Sequence, residues 1–236
     1  MKLRQRMVAV AIAAASTVGL LAASSPAAQA TDSWTSSKAK LTLVHGIAGT
    51  DNAFPVDISV YRLGVGSQVF EDVTYGTVAG PLSLDAGIYW IGIRPANAPR
   101  YSTPILSRWV WLWSGSNRSV VAHLDANGAP RISVYNNDTR DSGAGKGRVT
   151  VRHDAAVGPV DVFAGGTKVI SALANPYEAK LDVPATSIPI RVALTNGGTT
   201  VFNSPVAFQE NVNTIIYATL DKNGNFNPLI QKLPTA

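Results

Sequence analysis

Short alternating runs dominate this chain. Val56-Asp57-Ile58-Ser59-Val60-Tyr61 places apolar residues at every second position, and Ile88-Tyr89-Trp90-Ile91-Gly92-Ile93-Arg94 is a similar β-branched and aromatic stretch. Period two lets a strand bury one face, and Gly, Pro, Asn and Asp cluster between the runs. No helical periodicity of useful length appears. Asp125-Ala126-Asn127-Gly128 and Asp221-Lys222-Asn223-Gly224 each sit between two strand patterns. They read as hairpin turns, because Asn and Gly tolerate positive φ. A calcium loop would need a ladder of further carboxylates and a late Glu, which both segments lack.

The chain also repeats itself. Leu41-Thr42-Leu43-Val44-His45 recurs as Val149-Thr150-Val151-Arg152-His153, Pro55-Val56-Asp57-Ile58 as Pro159-Val160-Asp161-Val162, and Leu124-Asp125-Ala126-Asn127-Gly128 as Leu220-Asp221-Lys222-Asn223-Gly224. Order is kept while spacing shrinks, as loop deletions would do. The expected organisation is a first domain over 37–137, a polar, Gly-rich flexible linker over 138–146, and a second domain over 147–236. Each domain is close to the roughly 100 residues of a β-sandwich, with about seven strands apiece.

The N-terminus changes the charge balance. Lys2, Arg4 and Arg6 precede an apolar run from Met7 to Ala23 and the small-residue site Ala28-Gln29-Ala30. This is the pattern of a secretory signal peptide over 1–30, cleaved between Ala30 and Thr31. The whole chain has 20 Lys+Arg against 15 Asp+Glu. Without the three basic residues of the leader, 17 face 15, and no basic cluster follows residue 31. Nucleic acid is therefore not an expected partner. No later stretch could span a membrane. The absence of cysteine excludes disulfides, thiolate metal sites, a Cys nucleophile and a lipoprotein anchor. Free secretion or noncovalent retention at a cell wall is the expected location.

Leu43-Val44-His45, Pro55-Val56-Asp57 and Leu82-Ser83-Leu84-Asp85-Ala86-Gly87-Ile88-Tyr89 together resemble a secreted bacterial family, domain of unknown function 4397. The resemblance extends over both repeats. The first departs from the family pattern by the insertion Gly49-Thr50-Asp51-Asn52-Ala53-Phe54, the second by Pro184-Ala185-Thr186 at the expected Ala-Gly turn. It implies two tandem immunoglobulin-like antiparallel β-sandwich domains, exported from the cell, and no particular activity.

Two groups of residues are candidates for chemistry. His45 with Asp57, and His153 with Asp161, form a His–acid pair present in both repeats. Asp could orient the imidazole for proton transfer or metal binding, or the pair could pin strand register. A device built into both copies favours construction over catalysis. One His per site is poor for zinc, and no hydrolase or phosphate-loop motif accompanies it.

The second group is aromatic. Trp109-Val110-Trp111-Leu112-Trp113 puts three indoles on one face of a strand. Alignment with the second repeat sets Val110 and Leu112 against Val206 and Phe208, and the tryptophans against Pro205, Ala207 and Gln209. Trp90 likewise matches Pro189, while Tyr89, Ile91 and Ile93 match Ile188, Ile190 and Val192. If the second repeat buries the apolar set, Trp90, Trp109, Trp111 and Trp113 point outward from the first. They could form a seam with the other domain or a second subunit, a sugar-stacking platform, or ordinary core if the face is misjudged. Asn117-Arg118-Ser119 and Asn137-Asp138-Thr139 match the glycosylation sequon and mark exposed turns. The sequence thus points to a noncatalytic secreted module that binds a protein or a cell-wall glycan, with no cofactor implied. A hydrolase or metal-dependent enzyme resting on the His–Asp pairs is the alternative.

Overall fold

The computed structural model describes residues 38–49 and 55–235. The expected leader with its Ala30–Thr31 junction, and most of the 49–54 insertion, lie outside the described residues. Among the described residues there are sixteen strands and no helix, so none forms a helix able to cross a membrane.

The strands make four sheets. In the first sandwich, β1 (Lys38–His45), β4 (Val78–Asp85), β7 (Asn117–Leu124) and β8 (Pro130–Asn136) form an inner sheet in the order β4-β1-β7-β8. Its outer sheet combines β2 (Val56–Arg62), β3 (Gly66–Val73), β5 (Gly87–Pro95) and β6 (Leu106–Leu112) as β3-β2-β5-β6. The second sandwich has the same strand order. Its inner sheet is β12 (Glu178–Pro184), β9 (Lys146–His153), β15 (Val212–Ala218) and β16 (Leu229–Pro234). Its outer sheet is β11 (Thr167–Leu173), β10 (Val160–Ala164), β13 (Ser187–Leu194) and β14 (Thr200–Ala207).

Eight strands per sandwich exceed the expected seven. The pairing is not wholly antiparallel either: β1 runs parallel to β7, and β9 to β15. A parallel pair needs a long crossover, and in each sandwich the five intervening strands supply it. The Asp-x-Asn-Gly turns close β7–β8 and its counterpart. Asp125 Oδ1 accepts from the amides of Asn127 (2.8 Å) and Ala129 (2.9 Å), and Asp221 Oδ1 does the same for Asn223 and Asn225.

Alternation along the strands decides which side chains meet. Leu41, Leu43, Ile58, Tyr89, Ile91 and Val110 fill the first sandwich, and Val149, Val151, Val162, Val192 and Phe208 the second. A third cluster joins the inner sheets face to face: Val44, Val121 and Tyr135 from the first meet Ile215, Tyr217, Leu229 and Leu233 from the second.

A polar network threads that seam. Arg152, fully buried, donates to Glu178 Oε2 (2.9 Å), Tyr217 Oη (3.0 Å) and Asn137 Oδ1 (2.8 Å), and lies over the Tyr135 ring at 4.4 Å. Gln231 Nε2 reaches across to Thr42 Oγ1 (2.8 Å), and Asn175 Nδ2 donates to both Leu124 O and Ala155 O. A buried guanidinium holds its charge only where partners replace water, and here both sandwiches supply them. The segment 138–146, expected as a flexible linker, is tied into this seam. Arg148 donates to Arg140 O (2.9 Å) and pairs with Asp138 (2.9 Å), while Asn213 Nδ2 donates to Asp138 O (2.8 Å).

Candidate functional site

Trp109, Trp111 and Trp113 face solvent from the outer sheet of the first sandwich, with 57%, 65% and 45% of their surfaces exposed. Val110 and Leu112 between them are buried in the core, so alternation along β6 settles the face. Trp90 is half-buried on the same face, directly across from Trp109 in the β5–β6 pair, and Tyr61 lies across from Trp90 on β2. Ile88 pairs with Trp111 and is 49% exposed. Leu63 and Val65, on the turn from β2 to β3, extend the apolar area.

The backbone is shaped for the rings. A Cβ at Gly92 would collide with the six-membered ring of Trp90, so the missing side chain lets that indole lie flat along β5. Arg94 lies 5.8 Å from the Trp90 ring centroid, and Arg118 only 3.8 Å from that of Trp113. These contacts help hold Trp90 and Trp113 in place, with Arg94 itself buried and bonded to Ser102 O. At the fractions exposed, Trp109, Trp111 and Trp113 together present roughly 400 Å² of apolar surface. That alone matches the largest patch of an ordinary monomer, about 300–600 Å².

The second sandwich offers no such face. In the β13–β14 pair, Pro189 stands across from Pro205 where the first has Trp90 and Trp109. Phe163, its outward aromatic, is covered by Arg191 at 3.6 Å and approached by Lys168 at 5.7 Å. The seam between sandwiches is made by the inner sheets, so the tryptophans take no part in it.

The His–Asp candidates are not pairs, and this corrects the sequence reading. His45 and His153 share the inward parity of Leu43 and Val151 on the inner sheets, whereas Asp57 and Asp161 alternate with core residues of the outer sheets and point away. Each outer sheet separates the imidazole from the carboxylate. Asp57 Oδ1 accepts from the amide of Asp72 (3.0 Å), and Asp161 Oδ1 from that of Ala172 (2.9 Å). Asp72 and Ala172 have φ of 54° and 48°, each at a register shift opposite the acid's strand. The repeated Asp therefore clamps a β-bulge whose amide has left the ladder. Lys168 and that amide hold the Asp161 carboxyl below the usual carboxylate range. His153 Nε2 donates to Gly158 O (3.0 Å). Among the described residues, no three acids or histidines converge to hold a metal ion.

One polar cluster escaped the sequence reading. His123, fully buried on β7, has Nδ1 2.9 Å from Leu124 O, Nε2 2.8 Å from Ser133 Oγ, and Nε2 3.5 Å from Asp154 Oδ1 across the seam. Tyr135 donates to the same Asp154 oxygen (2.6 Å). Burial pushes the Asp154 carboxyl up to about 7 and His123 down to about 4. The available signal was loss of alternation: Val120–Ala122 and Ile215–Ala218 are unbroken apolar runs, as strands covered on both faces require.

The family model described as Domain of unknown function (DUF4397) matches residues 39–163, which take in the whole first sandwich and run on into β10. The chain belongs to the DUF4397 family. A search among curated proteins finds no match. Among solved structures, this DUF4397 chain is similar to a family 26 carbohydrate-binding module of Eubacterium rectale Amy13K in complex with maltoheptaose. That likeness has 13% identity and a TM-score of 0.29, covering 84% of this chain and 97% of that one. A candidate cell adhesion protein from Bacteroides ovatus follows at 9% identity and TM-score 0.28, with the same coverage. At such TM-scores neither likeness carries weight for function.

Proposed function

We propose that this DUF4397 protein is a secreted, noncatalytic binding module that docks a protein partner at the cell surface through the outer face of its first sandwich. In this reading residues 37–137 and 147–236 are two copies of the family domain joined by 138–146, and the second braces the first. One observation carries it: three indoles at alternate positions stand exposed on β6 and just past its end, while the same face of the second sandwich is proline and charge-capped phenylalanine. Folding gains nothing from three indoles in water, so a partner that removes them gains most. The aliphatic neighbours Leu63, Val65 and Ile88 favour a protein surface, because a sugar platform places hydrogen-bonding groups between its rings.

A glycan is the second reading, supported by the flat presentation of Trp90 over Gly92 and the arginines beside the rings. Labelled protein, wild type and Trp111→Ala, added to cells before and after surface proteolysis separates the two. Binding lost both on proteolysis and in the variant supports a protein partner. Binding that survives proteolysis but is lost in the variant, and is competed by purified wall polysaccharide, favours the glycan. Equal binding by both proteins sinks the proposal.

A further inference from the structure

The two sandwiches share their strand order and much of their pairing register, yet not the size of their core side chains. Leu41, Leu43, Ile58, Val60, Tyr89 and Ile93 of the first stand where the second has Val149, Val151, Val162, Ala164, Ile188 and Val192. Every one of these changes removes volume. The second sandwich encloses a cavity of about 240 Å³ between its sheets, and three of these smaller residues, Val151, Val162 and Val192, line it together with Val206, Phe202 and Phe226. Larger residues at other positions, such as Phe208 where the first sandwich has Leu112, do not close it.

The cavity has a direction and a mouth. Along β13 its wall runs from Ile190 to Leu194, about 13 Å of strand, while its width is limited by the spacing of roughly 10 Å between packed sheets. In the first sandwich, β6 packs against β8 and closes the corresponding edge. The edge strands β14 and β16 of the second make no comparable contact. Phe202 and Phe226, with ring centroids 5.4 Å apart, stand at that edge beside Ile230, which is half exposed. No charged side chain lines the space, and its one imidazole, His153, is engaged by Gly158 O.

We propose that the second sandwich holds a single alkyl chain of a free amphiphile, such as a medium-length fatty acid or fatty alcohol, between its sheets. A long, narrow slot with a hydrocarbon wall fits a flexible tail, and the open edge leaves a polar head in water. Apolar cavities of roughly 150 Å³ already take up benzene, so this one is large enough to be occupied. The site lies in the other sandwich from the tryptophan face and stands independently of the proposed partner.

The test uses the purified chain, the uncharged fluorophore N-phenyl-1-naphthylamine, and decanoic acid and decanol as competitors. The expected result is fluorophore uptake displaced by both competitors. The triple substitution Val151→Leu, Val162→Ile, Val192→Ile refills the slot with the residues of the first sandwich. It should weaken uptake at least tenfold while the melting temperature stays or rises. Should that variant fold poorly, Val192→Ile alone should give a smaller loss in the same direction. Trp111→Ala should leave uptake unchanged. Undiminished uptake in a folded refilled variant, no uptake by the wild type, or binding to phosphatidylcholine–phosphatidylglycerol vesicles without binding to decanol would overturn the assignment.

Discussion

Replacing Asp154 by Asn, or His123 by Gln, should give opposite pH dependences of stability where the wild type shows almost none from this pair. The carboxyl ordinarily titrates at 3.8 and stands at about 7 when buried. The imidazole ordinarily titrates at 6.5 and falls to about 4. Between pH 4 and 6.5 the unfolded pair holds one proton, on His123, and the folded pair also holds one, on Asp154. Folding moves the proton without net uptake, so the pair contributes no slope. With Asn at 154 only the imidazole remains. Its contribution is fully present above pH 6.5 and is lost as pH falls to about 4, worth about 3 kcal/mol. With Gln at 123 only the carboxyl remains. Stability is then greatest below pH 3.8 and declines as pH rises through 7, by about 4 kcal/mol. Arg152, Glu178 and Arg131, which also act on Asp154, are common to all three proteins. Urea midpoints from pH 4 to 8 read the difference. Parallel profiles for wild type and both variants would refute the burial-driven proton transfer.

Three further outcomes follow from the seam and the bulges. Arg152→Met removes a fully buried charge with partners in both sandwiches, and should cost about 3–5 kcal/mol by urea unfolding. A protease nick at the exposed turn Gly143–Lys146 should leave the two halves together on gel filtration and melting in one transition. Asp57→Ala and Asp161→Ala should each lower the urea midpoint slightly, because the bulge amide exchanges its carboxylate acceptor for water. Both should leave cell-surface binding intact.

Local patterning made part of this legible. The alternation of Val110 and Leu112 with the tryptophans, read against Val206 and Phe208, placed the indoles on a face that the structure exposes. The Asp-x-Asn-Gly turns were readable because their geometry depends on the four residues themselves. The His–Asp pairing failed for the opposite reason. Recurrence in both copies shows that two residues matter, not that they meet, and here a sheet lies between them. The seam was hidden because its partners are far apart in the chain: Thr42 meets Gln231, and Tyr135 meets Asp154. A buried Arg152 reads as a surface residue until both sheets that cover it are known. The cavity needed the structure as well, since small truncations such as those at Val151, Val162 and Val192 leave a void only if the backbone does not collapse around them.

The measurement that bears most directly on the aromatic face is the affinity of Trp111→Ala for the cell surface, taken with its melting temperature. Trp111 is 65% exposed, so its truncation should move the melting point by no more than a degree or two. Its exposed ring offers roughly 150 Å² to a partner, and its removal should cost about 2–4 kcal/mol of binding. The expected result is affinity at least thirtyfold weaker in a protein as stable as the wild type. Unchanged affinity would show that the partner docks elsewhere, and a variant that fails to fold would show that the indole belongs to the core.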